Sequence, residues 1–259
     1  MKKFKLLALL ILPMSFFGQN NFFITESKGL FGVLDEKGRE IVTPKYEQID
    51  AFGTIHKNWA VVTLNNKVGL IDSDGNELLK VSYDQINKFG EFKEDWVLIT
   101  KDGKKGFINN KGVIVVNPIY DDIKFFNQKF VGLAQVSLNG KHGFIDSSGL
   151  LIIDVVYDKI GNFGTYQKNW LDVTKDGKIG FIDDNLKVVI EPQYEAIEEF
   201  GLRKNKWALV KKDNLYGFID MQGIEVVKTV FEKISPISEK FKERDITNKT
   251  KNAIVSLTN

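Results

Sequence analysis

One stretch of the chain, residues 96–126, reads WVLITKDGKKGFINNKGVIVVNPIYDDIKFF. Its first part, Trp96–Lys101, is rich in β-branched and aromatic residues and predicts a strand. Asp102 and Gly103 follow as the residue pair that favours a type I′ turn, in which both residues have positive φ. We therefore expect the chain to fold back on itself, with Lys104–Ile108 as the second strand of a hairpin.

The rest of this stretch predicts a second turn and a third strand. Asn109–Gly112 has the Asn and Gly positions of a tight turn, in which the first side chain bonds the backbone and the glycine takes a left-handed conformation. Val113–Val116 is then the third strand. Tyr120, Ile123 and Phe126 follow in what we expect to be an irregular connector whose apolar residues enter the core.

The whole pattern recurs with a step of 37 residues and without an insertion. Five columns carry the repeat. The glycine column is Gly32, Gly69, Gly106, Gly143, Gly180 and Gly217. The other four columns are Tyr46, Tyr83, Tyr120, Tyr157, Tyr194 and Phe231; Ile49, Ile86, Ile123, Ile160, Ile197 and Ile234; Phe52, Phe89, Phe126, Phe163 and Phe200; and Phe22, Trp59, Trp96, Leu133, Trp170 and Trp207.

These repeats predict an all-β fold, built from tandem 37-residue repeats of three-stranded antiparallel meanders. Copies of the first strand stand at both ends, at Phe22–Ser27 and Asn252–Leu257, the latter after a polar insertion at 239–250. A spare strand favours an open, β-solenoid-like superhelix. The alternative is a six-bladed β-propeller, for which three strands in each repeat are few. In the fifth repeat Leu186 stands where the second turn has glycine, and we expect Asn185 to take the left-handed position instead.

The motif Gly-Phe-Ile-Asp-x-x-Gly, followed by Pro-x-Tyr-Asp, resembles the WG (KWG) repeats of bacterial exported proteins. Residues 132–149 and Asn117–Asp121 carry the likeness, which extends over residues 22–257. The Trp that usually precedes the first glycine of the motif is absent, and tryptophan stands instead at the start of the preceding strand. The resemblance implies binding or scaffolding rather than catalysis.

The N-terminal segment has the order of a secretory signal peptide. Lys2, Lys3 and Lys5 precede the apolar run Leu6–Phe17, and the small residue Gly18 follows. The run is shorter than the roughly 20 apolar residues that span a bilayer. We predict a signal peptide at 1–18, a WG-type β-repeat domain at 19–259, and a periplasmic or extracellular location.

The composition excludes several kinds of function. The chain has no cysteine, so it contains neither disulfides nor thiolate metal sites. Removal of residues 1–18 takes away three lysines and no acidic residue, so the formal net charge changes from +2 to −1. That near-neutral balance argues against binding of nucleic acid, which usually requires a basic surface. No membrane span is expected after removal of the signal segment.

No catalytic or metal-binding constellation stands out in the sequence. His56 and His142 occupy different repeat positions and lack neighbouring ligands. An aspartate column that includes Asp72 is explained by turns, because an Asp side chain at the start of a turn bonds the backbone two residues on. We expect no enzyme activity, no metal and no cofactor.

The tryptophan column is the one pattern that suggests a binding surface. Along the first strand, positions one and three after Trp are apolar and predict a core face, whereas the Trp itself shares the other, mixed face. Two interpretations stay open: each Trp seals the joint between repeats, or the column forms a semi-exposed aromatic row. The row would make these residues candidates for partner binding: Trp59, Trp96, Trp170 and Trp207.

The sequence therefore predicts an exported, non-enzymatic repeat protein that serves in protein–protein interaction or scaffolding. The alternative is binding of a glycan or another cell-envelope polymer through the aromatic row. In either case the partner is an unknown protein or envelope polymer.

Overall fold

The computed structural model describes residues 22–235, and these contain strands and turns but no helix. The predicted signal peptide at 1–18, the insertion at 239–250 and the last strand copy at Asn252–Leu257 lie outside the described residues. The chain divides into two compact units, Met1–Pro118 and Ile119–Asn259. Among the described residues, none forms a helix with the length and hydrophobicity to cross a membrane.

The first unit holds three antiparallel sheets. Sheet 1 consists of three strands: β1 (Phe23–Ser27), β2 (Leu30–Leu34) and β3 (Glu40–Tyr46). Sheet 2 consists of β4 (Gln48–Ile49), β5 (Trp59–Leu64), β6 (Lys67–Asp72) and β7 (Glu77–Tyr83). Sheet 3 consists of β8 (Gln85–Phe89), β9 (Trp96–Lys101), β10 (Lys104–Asn109) and β11 (Ile114–Tyr120), the strand within which the first unit ends.

The second unit holds three four-stranded sheets of the same order. Sheet 4 consists of β12 (Asp122–Ile123), β13 (Leu133–Leu138), β14 (Lys141–Asp146) and β15 (Leu151–Tyr157). Sheet 5 consists of β16 (Lys159–Phe163), β17 (Trp170–Lys175), β18 (Lys178–Asp183) and β19 (Val188–Tyr194). Sheet 6 consists of β20 (Ala196–Ile197), β21 (Trp207–Lys212), β22 (Leu215–Asp220) and β23 (Glu225–Phe231).

The all-β class and the tandem repeat are confirmed, but the strand count is corrected. Five of the six described sheets have four strands, because the predicted connector contains a short strand. In sheet 2, Gln48 pairs with Thr63 and Ile49 pairs with Val62. The connector of one repeat thus supplies an edge strand to the sheet of the next repeat. No ladder among residues 22–235 joins one sheet to another.

Both predicted turns form as the residue types require. Asp102 and Gly103 have φ of 50° and 73°, as a type I′ turn demands. In the second turn, Asp72 Oδ1 accepts hydrogen bonds from the backbone N–H of Asp74 (2.9 Å) and Asn76 (2.8 Å). The aspartate column is therefore a turn-stabilising column.

The fifth repeat differs from the expectation for its second turn. Leu186, not Asn185, takes the left-handed conformation, with φ of 68°. The turn keeps its geometry because Asp183 Oδ1 still accepts from the backbone N–H of Asn185 and Lys187, each at 2.9 Å. The leucine therefore adopts a backbone conformation that glycine would take without strain.

The glycines of the glycine column are required because a neighbouring strand lies very close to them, and not because they adopt a positive φ. A Cβ atom on Gly180 would lie 2.5 Å from the carbonyl oxygen of Ile190 and 2.6 Å from the nitrogen of Pro192. The ladder between β18 and β19 is irregular at this point, with register shifts on either side of Phe181. Glycine is needed because the third strand bulges directly over it.

Successive sheets in each unit pack face to face. In the first unit, Trp59 and Leu70 of sheet 2 share a buried cluster with Val97, Ile99 and Ile108 of sheet 3. In the second unit, the equivalent face of sheet 5 is buried against sheet 4. An inner sheet therefore buries both of its faces, and each fully buried apolar side chain stabilises the fold by about 1.5–3 kcal/mol.

Candidate functional site

The tryptophan column is mostly buried. Trp59, Trp96 and Trp170 have only 5 %, 4 % and 7 % of their surface exposed, and Trp207 is half-buried. The semi-exposed row that the sequence suggested is therefore not formed by the first three residues. Lys204 Nζ lies 3.5 Å from the centroid of the Trp207 ring.

Phenylalanines of the following repeat cover two of these tryptophans, Trp59 and Trp170. The ring centroids of Trp59 and Phe89 lie 5.5 Å apart, and those of Trp170 and Phe200 lie 5.3 Å apart. Each pair joins two successive sheets of one unit. The Trp column and the Phe column are thus two halves of the same inter-repeat joint, which is the interpretation that the sequence left open beside the binding row.

Sheet 4 builds this joint differently. Leu133 stands in the Trp position, and the ring comes from Phe130, three residues earlier. The ring centroid of Phe130 lies 5.1 Å from that of Phe144 of its own sheet and 5.2 Å from that of Phe163 of sheet 5. The plane of the Phe130 ring is nearly perpendicular to both of these rings. A ring from the preceding loop therefore replaces the missing tryptophan.

The two histidines have structural contacts. His56 packs against Trp59 and Phe89, with centroid distances of 4.4 Å and 5.4 Å, and burial lowers its pKa below the usual value of 6.5. His142 Nδ1 lies 3.3 Å from Gln135 Nε2. Within residues 22–235, no group of three or more His, Asp or Glu side chains is placed to hold a metal ion.

Lysine–carboxylate pairs connect successive repeats, and the sequence reasoning missed them. Lys67 Nζ lies 2.5 Å from Asp84 Oδ1, and Asp84 Oδ2 accepts from the backbone N–H of Gly103 in the next hairpin (2.9 Å). The Lys67 hydrogen bond, followed by that from Gly103, lowers the pKa of Asp84, and Asp84 in turn raises the pKa of Lys67. Lys141 pairs with Asp158 in the same manner. The signal was present as a 37-residue lysine spacing at 67, 104, 141 and 178.

The best candidate for a binding site is a groove of about 390 Å³ in the second unit, between sheets 4 and 5. Phe130, Phe163 and Leu186 provide its apolar surface. Its polar and exposed lining consists of Lys129, Val131, Lys168, Asn169 and Asp184.

Lys129 lies in the loop between β12 and β13 of sheet 4, and its side chain reaches sheet 5. Its Nζ donates to the carbonyl oxygen of Gly161 (2.5 Å) and to Asn162 Oδ1 (2.8 Å). Burial lowers the pKa of Lys129, and the negative charge of Asp172 partly opposes that shift. A Cβ on Gly161 would lie 1.9 Å from Asp172 Oδ1, so this position accommodates the carboxylate only as glycine.

Several departures from the repeat meet in this groove. Val131 occupies a loop position that is polar in the other repeats (Lys57, Glu94, Lys168 and Asn205), and it is 95 % exposed. Leu186 replaces the turn glycine and packs against the core cluster of sheets 4 and 5 despite its positive φ. A non-glycine residue held in that conformation costs about 1–3 kcal/mol, and such strain is often found at functional sites.

Several solved structures are distantly similar to this chain. PorZ of Porphyromonas gingivalis, a surface component of its type-IX secretion system, is 12% identical at a TM-score of 0.27; the match covers 80% of this chain and 30% of PorZ. Apo AztD of Citrobacter koseri is 13% identical at a TM-score of 0.28, with coverage of 82% and 72%. BamB of Moraxella catarrhalis is 12% identical at 0.25, with coverage of 83% and 74%. Scores this low carry no functional argument.

The sequence comparisons are more specific. Among proteins of curated function, none matches this chain. The sequence pattern of the WG-containing repeat matches six successive segments: 31–67, 69–104, 106–141, 143–178, 179–216 and 216–241. Together these segments span most of the chain and follow the 37-residue period. The chain therefore belongs to the family of proteins that contain WG repeats.

Proposed function

We propose that this chain is an exported, non-enzymatic interaction module, and that it binds a partner protein in the groove between sheets 4 and 5. The observation that carries the proposal is the convergence of departures from the repeat at this groove. Repeats that serve only to build the stack have no reason to differ at one joint. Four residues of sheets 4 and 5 differ in type from the residues at the same positions of the other repeats. They are Phe130, Val131, Leu133 and Leu186.

The lining of the groove suits an apolar side chain next to an acidic group. Val131 offers an exposed apolar lip beside the rings of Phe130 and Phe163. Within the described part of the chain, the ammonium group of Lys168 and the side-chain amide of Asn169 have no hydrogen-bond partner. These two groups are therefore available to a ligand that carries a carboxylate or another acceptor.

The charged groups of the groove favour binding over catalysis. The Lys129 ammonium donates hydrogen bonds to a carbonyl oxygen and to an amide oxygen of sheet 5, and it thereby links sheet 4 to sheet 5. Asp184 is exposed and accepts from the amide of Asn185 at 3.2 Å. General acid–base chemistry needs a group within hydrogen-bond reach of a reacting atom, whereas the charged groups of Lys129 and Asp184 already have hydrogen-bond partners.

Export is supported by the leader-like segment at 1–18. The expected product is a protein that lacks these residues and is recovered from the periplasm or the medium of producing cells. Recovery of the intact chain with Met1 from the cytoplasm alone would contradict this part of the proposal.

Photo-crosslinking from the groove tests the binding function. A photoreactive amino acid is placed at Val131 in producing cells, and the matched control carries it at Glu94, the equivalent position one repeat earlier. We expect a discrete protein adduct from position 131 only, and less of it when Lys168→Glu reverses the charge at the rim. Equal adducts from both positions, or no adduct from position 131, would refute the assignment.

A further inference from the structure

The third strand of each repeat is an edge strand. In the order of every described sheet, β3, β7, β11, β15, β19 and β23 stand at one end. An edge strand has unpaired backbone N–H and C=O groups on its outer side, and proteins usually protect such edges with proline or with charged side chains.

Five of these six edges carry such protection. Proline interrupts β3, β11 and β19, at Pro44, Pro118 and Pro192. Two strands without proline, β7 and β23, begin at Glu77 and Glu225 and carry a lysine three residues later. A bulge opposite the glycine column is common to the repeats and does not distinguish among them.

The edge of sheet 4 is the exception. β15, Leu151–Tyr157, has neither proline nor lysine, and Asp154 is its single charged residue. Its first two residues are exposed, Leu151 by 45 % and Ile152 by 43 %, and so is Leu150 directly before the strand, by 65 %. Consecutive strand residues point to opposite faces, so this edge is apolar on both sides.

We propose that β15 is a strand-addition site, at which an extended segment of a partner protein pairs with the free edge of sheet 4. The backbone groups of the edge supply the hydrogen bonds, and Leu150–Ile152 supply apolar contacts on both faces. Asp154 is exposed and has no cationic partner among residues 22–235, so the segment carries a lysine or arginine where it passes this carboxylate. The inference rests on the proposed interaction function but uses a surface other than the groove.

A partner segment fits this edge better than a second copy of the chain. The stretch before the bulge is only a few residues long, and two identical edges would bury far less than the roughly 1,200 Å² of a stable protein interface. A second copy would also bring another Asp154 carboxylate to the same short edge, and like charges on paired strands repel, whereas a linear segment can place a cation there.

The natural repeats provide the variant that tests this inference. Leu151→Glu copies Glu40, Glu77 and Glu225, and Val155→Pro copies Pro44, Pro118 and Pro192, so the double variant acquires an edge that the fold already tolerates. The control, Thr229→Pro, introduces proline at the equivalent position of β23 without altering β15. A retained far-ultraviolet circular dichroism spectrum establishes that each variant is folded.

The probe is a displayed library of random linear peptides, selected on the wild-type protein. We expect the enriched peptides to alternate apolar residues with Lys or Arg, to bind the double variant at least about tenfold more weakly, and to lose binding when alternate backbone amides are methylated. The control should bind them as the wild type does. The inference would be overturned if no peptide were enriched, if the peptides bound the double variant equally well, or if backbone methylation left binding unchanged. It would also be overturned if the wild type formed a dimer that the double variant abolished. Crosslinking from Val131 is independent of all these results.

Discussion

The joint between repeats predicts a measurable coupling between Trp170 and Phe200. Trp170 is only 7 % exposed, and its ring meets that of Phe200 at 5.3 Å with an interplanar angle of 87°. Removing a buried tryptophan from a core costs about 3–5 kcal/mol. Edge-to-face aromatic pairs contribute about 0.5–1.5 kcal/mol beyond the area that they bury. We therefore expect Trp170→Ala to lower the free energy of unfolding by about 3–5 kcal/mol, of which about 0.5–1.5 kcal/mol depends on Phe200.

A double-mutant cycle measures this dependence. Urea unfolding of the wild type, Trp170→Ala, Phe200→Ala and the double variant, followed by circular dichroism, gives the coupling free energy. Trp207→Ala serves as the comparison, because Trp207 is half-buried and should cost less. Effects that add within about 0.3–0.5 kcal/mol would show that the two residues do not interact, and the joint would then have to be assigned to other contacts.

Three further predictions concern single positions. Gly180→Ala should destabilise the second unit by about 1–3 kcal/mol in urea unfolding, because its Cβ would lie 2.5 Å from the Ile190 carbonyl oxygen; unchanged stability would refute the close-approach argument. The pKa of Asp84 is lowered in the fold by Lys67, so its contribution to stability is present above pH 3.8 and is lost as the pH falls through the folded pKa; Asp84→Asn should flatten this acid limb in unfolding measured against pH. The pKa of His56 is also lowered, by burial, so stability should decrease as the pH falls through 6.5 and protonation favours the unfolded chain; His56→Phe should remove that decrease, and an unaltered profile would speak against it.

The features that the sequence predicted well are local. The turn at Asp102 and Gly103 follows from two residues that tolerate positive φ, and the turn at Asp72 follows from one carboxylate that bonds the next backbone amides. The same turn-forming residues then recur every 37 residues along the chain. Such signals need no knowledge of what each sheet packs against.

The features that the sequence did not predict depend on partners in another repeat. The strand at Gln48–Ile49 has only two residues, and its ladder partners lie in the following repeat, so no periodicity within the connector reveals it. The alternation along β5 placed Trp59 on a mixed face. That face is buried because a second sheet covers it, which a strand pattern alone does not show.

The sequence indicated some residues of the candidate groove, but not that they lie together. The sequence shows Leu133 in the Trp column and Leu186 in the glycine position of a turn, but these departures stand in different repeats. Folding brings Leu186 and Phe130 to the same groove. Asn185 was expected to take the left-handed position in place of Leu186. The original turn geometry is kept because the Asp183 carboxylate accepts hydrogen bonds from two backbone N–H groups of the turn. A column-by-column search for residues that break the repeat would have indicated the region, although not the contact.

The tryptophans seal joints between repeats, and we infer that binding takes place elsewhere on the surface. Acrylamide quenching of tryptophan fluorescence tests it most directly, since Trp59, Trp96, Trp170 and Trp207 are the only four tryptophans of the chain. We predict weak quenching that arises mainly from half-buried Trp207, and almost none in Trp207→Phe. Strong quenching that persists in Trp207→Phe, and that added cell-envelope glycans reduce, would contradict the account and restore the aromatic row as the binding surface.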